Sequence, residues 1–396
     1  MTMADPFFVD LGFSQCRKHG EDICGDAFKF IKNMEDSRVV AVLSDGLGSG
    51  VKANILASMT ATMALKFANE LTGPRGILHA AEIMMDALPI CQVRKISYAT
   101  FTILNAWPDG TVRIIEMGNP AFVLLRNDKV VPVPFEELNP SKYDNRSMKV
   151  YHFKVDMWDR IVFFSDGITQ AAIGSDSLPL GWRESGVSEY LVDYLTNCPD
   201  VSSYEVAEHV VGEAISKEPH HINMDDMTCA ALYFRNPREM LLFTGPPYDS
   251  ARDAECASFL KNFVGDKAIC GGTSAEIVSR ELGRELKMDL SSISPDMPPM
   301  STMDGVNLVT EGIFTLSKAA TYLESVDGVR HNDPAGLLTG LMLRNDVITF
   351  LVGTRINEAH QDPNLPHDLE LRRNIVQRLA RTLETQYLKK VIIKYV

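Results

Sequence analysis

Several features that would narrow a sequence at once are missing from this one. No two of its seven cysteines (Cys16, Cys24, Cys91, Cys198, Cys229, Cys256, Cys270) are spaced as C-x-x-C, and their number is odd. A zinc ribbon and a disulfide framework are therefore excluded as organising devices, and the thiols are expected to be reduced and mostly buried. No apolar stretch approaches the roughly 18 residues of a membrane span. The opening MTMADPFFVD lacks the basic and long apolar regions of a secretory signal. A cytoplasmic protein is expected. Positive charge is also short: Lys and Arg number 39 against 52 Asp and Glu, a net charge of −13. That balance argues against nucleic acid and against an anionic membrane surface as partners. No Gly-x-Ser-x-Gly elbow supports a serine hydrolase, and no P-loop Lys-Ser/Thr follows any glycine-rich turn.

What remains is a chain of 396 residues with room for two or three domains, each large enough for its own core. Val39 to Leu43 reads as a buried strand ending in Ser44-Asp45-Gly46. The stretch from Val51 to Leu71 has Ile55, Met59, Met63, Leu65 and Phe67 at helical spacing, with no Pro or Gly inside. A second helix is expected from Ile77 to Leu88. Strands are predicted at Ser97 to Leu104, Thr111 to Met117, Ala121 to Leu125, Val150 to Val155, Ile161 to Phe164 and Met227 to Phe234, with a helix from Val201 to Ser216. Antiparallel strands with helices grouped in long blocks point to an α+β layered fold. The polar Arg235-Asn236-Pro237-Arg238 has linker character and separates a domain at 1–236 from a second at 239–396. The second reads as α/β. It has strands at Met240 to Phe243, Lys267 to Cys270, Val306 to Val309, Val347 to Val352 and Val391 to Val396, a helix running to Leu286, and a closing helix.

Two segments of the first domain look alike: Val42-Leu43-Ser44-Asp45-Gly46 and Phe163-Phe164-Ser165-Asp166-Gly167. Each puts an Asp where a buried strand leaves the core, followed by a Gly that admits close neighbours. Met224-Asp225-Asp226-Met227-Thr228 precedes another strand, and Gly25-Asp26 a fourth apolar run. Carboxylates held at strand ends are costly without a partner. Mg²⁺ or Mn²⁺, which prefer oxygen ligands, would supply one. Singly, each Asp-Gly is an ordinary turn dipeptide. Asp45 to Gly50, with three glycines opening a helix, also reads as a phosphate cradle.

In combination, Gly25-Asp26, Asp45-Gly46-Leu47-Gly48-Ser49-Gly50, Ser165-Asp166-Gly167-Ile168-Thr169 and Asp225-Asp226-Met227-Thr228 occur in order over about 200 residues. Over residues 7 to 235 this resembles the metal-dependent type 2C serine/threonine phosphatases. Within them it is most similar to the bacterial branch named after stage II sporulation protein E. The resemblance implies a central antiparallel β-sandwich flanked by helices, with two Mn²⁺ or Mg²⁺ ions at one end. Asp45 would bridge both ions and the Gly46 carbonyl would hold the second. Asp166 and Asp225 would complete the first shell, and Asp26 would act through a bound water. The nucleophile would be the metal-bridged water, with no protein nucleophile. The implied substrate is a phosphoprotein, such as an anti-sigma-factor antagonist.

Two departures stand out. Gln170 occupies a place where the family often has Glu, beside the metal ligands as Asp226 would be. The phosphate-binding Arg motif of eukaryotic members is missing, leaving Arg17 or Lys18 as candidate substitutes. Two other readings remain at this stage: a two-metal hydrolase of a small phosphate ester, and a non-catalytic signalling module on the same fold. His220-His221 reads as a solvated loop, and His360 and His367 lack the further ligands of a zinc site. In the second domain, Gly271-Gly272-Thr273-Ser274 joins a strand to a helix. It is a candidate anion site in outline, with a plain capped turn as the alternative.

Overall fold

A computed structural model describes residues 7–33, 35–70, 99–138, 147–289, 300–325, 333–355 and 366–396, with the side chains of 366–370 outside that description. The expected helix from Ile77 to Leu88 lies outside the described residues. The chain divides into two compact units, Met1–Asn236 and Pro237–Val396.

In chain order the first unit comprises β1 (Phe8–Cys16), β2 (Asp26–Lys32), β3 (Val39–Gly46), α1 (Gly50–Glu70), β4 (Ala99–Ala106) and β5 (Thr111–Met117). Then follow β6 (Val123–Arg126), β7 (Lys129–Val130), β8 (Glu136–Leu138), β9 (Met148–Lys154) and β10 (Arg160–Phe164). The single turn α2 (Asp166–Thr169), α3 (Arg183–Asn197), α4 (Ser203–Lys217) and β11 (Met227–Arg235) complete it. Two antiparallel sheets result, ordered β1-β11-β10-β6-β7 and β2-β3-β4-β5-β9-β8. Helix α1 covers the second sheet, and α3 and α4 cover the first. This is the flanked β-sandwich that the resemblance implied.

The face that α1 buries matches the sequence expectation only in part: Met63, Leu65 and Phe67 pack, partly buried, against the core. Ala57, Ala61, Ala64 and Ala68 pack on Val40, Val42, Phe101 and Ile103, whereas Ile55 and Met59 are 53% and 52% exposed. Small side chains let the helix axis approach the sheet closely, so packing distance rather than side-chain size selects the buried face. Strands β1 and β2 were not read from the sequence. β1 carries Asp10 at a buried position, where it pairs with Arg235 on β11 at 3.2 Å and accepts the Ser203 N–H at 3.0 Å. A buried ion pair 225 residues apart in sequence breaks the apolar pattern that would mark the strand.

Buried Glu116 on β5 accepts the Tyr151 hydroxyl and the Phe122 N–H, each at 2.9 Å. Burial outweighs those bonds and pushes its carboxyl up to about 7. A carboxyl raised by folding favours the folded state below its unfolded pKa of about 4.5, and that contribution fades as pH rises through about 7. Unfolding free energy should therefore fall by about 3 kcal/mol between pH 5 and pH 8 through this group. In Glu116→Gln that slope should flatten. Melting curves across this range check it, and an unchanged slope in the variant would refute it.

The second unit comprises β12 (Glu239–Thr244), α5 (Asp253–Asn262), β13 (Asp266–Cys270), α6 (Gly272–Leu282), β14 (Lys287–Asp289), β15 (Met300–Met303) and β16 (Val306–Thr310). It ends with α7 (Ile313–Glu324), α8 (Pro334–Arg344), β17 (Val347–Val352), α9 (Pro366–Gln386) and β18 (Lys390–Tyr395). Its sheet runs β14-β15-β16-β13-β12-β17-β18, and the five strands from β16 to β18 are parallel. Alternation along β12 explains the layering. Leu241 and Phe243 face α5 and α6, and Met240 and Leu242 face α7, α8 and α9. Helices on both faces of a parallel sheet make a doubly wound α/β unit. Helix α6 stops at Leu282 rather than Leu286 because Gly283 takes the left-handed conformation (φ 62°) and caps it.

Candidate metal centre

Each sheet of the sandwich delivers carboxylates at the same end. Strands β2 and β3 pair so that Asp26, the first residue of β2, lies opposite Asp45 near the end of β3. In the other sheet, Asp166 leaves β10 as the first residue of α2, and Asp225 and Asp226 immediately precede β11. Beyond β10 the pairing with β11 continues: the Ser165 N–H donates to the Thr228 carbonyl and the Thr228 N–H to Ser165 Oγ, both at 2.9 Å. Thr228 Oγ1 then crosses to the other sheet and donates to Asp26 Oδ2 at 2.6 Å. The two similar Ser-Asp-Gly segments thus fold differently. Asp45 stays within its strand, while Asp166 starts a helical turn.

Two glycines make the convergence possible. A Cβ on Gly167 would lie 2.1 Å from the Asp226 carbonyl oxygen, and one on Gly46 would lie 2.1 Å from that of Ala53. Both neighbours are backbone and cannot swing aside. The glycine after each Asp is therefore required by close approach rather than by turn chemistry.

Electrostatics set the character of the site. Burial raises the carboxyl of Asp45 far above its ordinary value, and the neighbouring charges of Asp26 and Asp166 raise it further. Asp45 and Asp166 are within hydrogen-bonding reach of each other, and Asp225 adds to the repulsion. Asp26 is likewise raised, first by burial and then by Asp226 and Asp166, against the opposing bonds from Thr228 and Ser165. Asp225 is raised by burial, opposed by the Asp226 N–H and the Lys18 charge. Two unit charges 4 Å apart repel by about 4 kcal/mol at an effective dielectric of about 20. Several such pairs demand protons or cations. Among the described residues, no three His, Cys, Asp or Glu side chains are already arranged around one ion position. The fit to a divalent cation rests instead on the donor set, which is all oxygen and mutually repelling.

The remaining candidates separate. Gln170 Nε2 donates to Asp166 Oδ2 at 2.7 Å, so it holds a carboxylate where a Glu would repel one. Asp226 is buried and accepts the Lys18 N–H at 2.9 Å, which ties the chain after β1 to the acidic loop. The Lys18 charge also acts on Asp225, whereas Arg17 turns to the Asp22 carbonyl at 3.3 Å and is exposed. His220 and His221 lie in an exposed turn. His360 and the side chain of His367 lie outside the described residues. Sequence reasoning missed Ser165, Thr228 and Asn223. Asn223 Nδ2 bonds the Arg17 carbonyl and, at 3.3 Å, the Asp225 carbonyl. Ser165 and Thr228 lie within the motif of an identified Asp and Asn223 just before one, and that nearness was the available signal.

Residues 35–235, just over half of the chain, match the family model described as stage II sporulation protein E (SpoIIE). The chain belongs to the SpoIIE family. That family is one of type 2C serine/threonine phosphatases, and the carboxylates above lie within or just before the matched residues. Among solved structures it is similar to the phosphatase domain of SpoIIE from Bacillus subtilis, at 17% identity and TM-score 0.46, over 58% of this chain and 94% of that one. It is also similar to the RsbU and RsbW domains of a Mycobacterium tuberculosis protein, at 17% identity and TM-score 0.50, over 65% and 69%. A serine/threonine phosphatase from S. agalactiae matches at 12% identity and TM-score 0.43, over 57% and 99%. No curated protein matches the sequence. No helix among the described residues is long and apolar enough to cross a membrane.

Proposed function

We propose that the unit at 1–236 hydrolyses phosphoserine or phosphothreonine on a signalling phosphoprotein, such as an anti-sigma-factor antagonist, and that the unit at 239–396 regulates it or selects its partner. The observation that carries this reading is the meeting of Asp26, Asp45, Asp166 and Asp225 at one end of the sandwich. Asp45, Asp166, Asp225 and the Gly46 carbonyl would hold two Mn²⁺ or Mg²⁺ ions, with Asp26 one water further out. When bound, such ions generate the attacking hydroxide and neutralise phosphate charge. The chain's own groups then have defined tasks. Ser165 and Thr228 keep Asp26 oriented, Gln170 fixes Asp166, and Lys18 offers a cation at the rim for the phosphate. Leu47, Val51, Ile55 and Met59, spaced four apart from just beyond Asp45 and all more than half exposed, support a protein-sized substrate over a small ester.

The test compares a phosphopeptide with a small phosphate ester, using the whole chain and residues 1–236, with Mn²⁺ and with excess chelator. Turnover of the phosphopeptide should be the faster, depend on metal, and survive truncation to within about tenfold, or about 1.4 kcal/mol of barrier. Turnover in excess chelator would sink the two-metal reading. A folded but inactive 1–236 would show that the second unit contributes to catalysis.

A further inference from the structure

The carboxyl edge of the doubly wound sheet carries an arrangement that the phosphatase reading does not use. Strands β13 and β16 lie side by side and parallel, and each feeds a helix almost at once. α6 begins two residues after Cys270 and α7 three after Thr310. Both N-caps are glycine, Gly271 and Gly312, and neither helix has a side-chain cap. The two glycines are in contact: a Cβ on Gly312 would lie 3.5 Å from Gly271 Cα. Two helices of 11 and 12 residues therefore open onto one spot. Each brings roughly half a positive charge and first-turn N–H groups with no partner inside the helix. The space beside Gly272 is open, since a Cβ there would meet nothing within 4 Å.

A second observation points into the same spot. Ser274 and Thr315, at the third position of the two helices, are 0% and 1% exposed, and neither hydroxyl has a hydrogen-bond partner. Ser274 Oγ is 3.6 Å from the place a Gly271 Cβ would occupy, so it is aimed at the cradle between the two glycines. At the end of the neighbouring strand β12, the buried Thr244 hydroxyl is likewise unpartnered. Two other buried helical hydroxyls of this unit bond back along their helix, Thr339 to the Ala335 carbonyl at 2.8 Å and Thr382 to that of Arg378 at 3.0 Å. An unsatisfied buried hydroxyl is costly, and each one calls for an explanation such as a ligand that it would bond.

We propose that this junction binds the phosphate group of a small molecule, seated between Gly271 and Gly312. It would accept bonds from the two helix ends and from the Ser274 and Thr315 hydroxyls. The position, at the carboxyl ends of parallel strands, is where sheets of this topology bind ligands. Glu311 is exposed at the rim, so its carboxylate stays in water while the phosphate occupies the cradle.

The test uses the full chain stripped of metal with chelator, so that the acidic end of the sandwich repels phosphate. The probes are inorganic phosphate and adenosine monophosphate, with chloride at matched ionic strength as control. Hydrogen exchange should slow at least tenfold in 271–276 and 312–317 with either probe. Tighter binding of the nucleotide assigns a phosphate ester as ligand, and equal binding assigns the free anion. Ser274→Ala and Thr315→Val, which remove unpartnered hydroxyls, should melt no lower than wild type without phosphate, yet bind it at least tenfold more weakly. Exchange unaltered by both probes would overturn the site. So would protection confined to residues 1–236, or affinity equal to wild type in both variants.

Discussion

Asp45→Asn should cost about a thousandfold in phosphatase turnover, roughly 4 kcal/mol of barrier, while making the metal-free protein more stable. The two effects have one cause. Asp45 sits where burial and the charges of Asp26 and Asp166 oppose its ionisation. Neutralising it relieves that repulsion in the absence of cation, but it withdraws the carboxylate that would face both ions. Melting temperature in excess chelator should rise, and calorimetric Mn²⁺ binding should disappear. Loss of an ordinary core contact would instead lower the melting temperature together with activity. Wild-type turnover in the variant, or a lower melting temperature in chelator, would remove Asp45 from the centre of the site.

That cluster was legible because its chemistry is local. Asp45 and Asp166 each stand beside a buried apolar run and before a glycine, and Asp225 and Asp226 stand immediately before another run. Strand ends could thus be placed without knowing the topology. What the pattern could not reveal was which carboxylates would meet. Asp26 facing Asp45 depends on the β2–β3 register, and the Thr228 bond to Asp26 joins two sheets across 202 residues. β1 escaped notice because Asp10 is satisfied by Arg235 and the Ser203 N–H, partners invisible to any local window. The buried face of α1 was read only in part because periodicity weighs bulk, whereas the fully buried contacts in this cluster are Ala57, Ala61, Ala64 and Ala68, with Met63, Leu65 and Phe67 partly buried against it. In the second unit α7 went unread for a related reason, since two of its buried residues are Ala319 and Ala320.

Gly167→Ala should be among the most damaging single-methyl changes in the first unit, and it acts directly on the acidic loop. Its Cβ would meet the Asp226 carbonyl oxygen at 2.1 Å and the Asp225 Cβ at 3.4 Å. The oxygen belongs to the backbone entering β11, all nine residues of which are buried, so the strain must move the acidic loop or the turn holding Asp166. Overpacking of a well-packed site costs typically about 1–3 kcal/mol, and displacing ligands by about 1 Å is expected to cost a further hundredfold in rate. Gly212 in α4 is the matched control. A Cβ there meets nothing within 4 Å and its φ is not positive, so Gly212→Ala should stabilise the helix by about 0.5–1 kcal/mol. Melting curves and turnover measured well below both transitions separate folding from geometry. Gly167→Ala should be slow even where fully folded, with weaker Mn²⁺ binding, while Gly212→Ala keeps wild-type turnover and melts higher. If folded Gly167→Ala turns over at the wild-type rate, the approach of the Asp226 backbone does not position the carboxylates proposed to hold the metal.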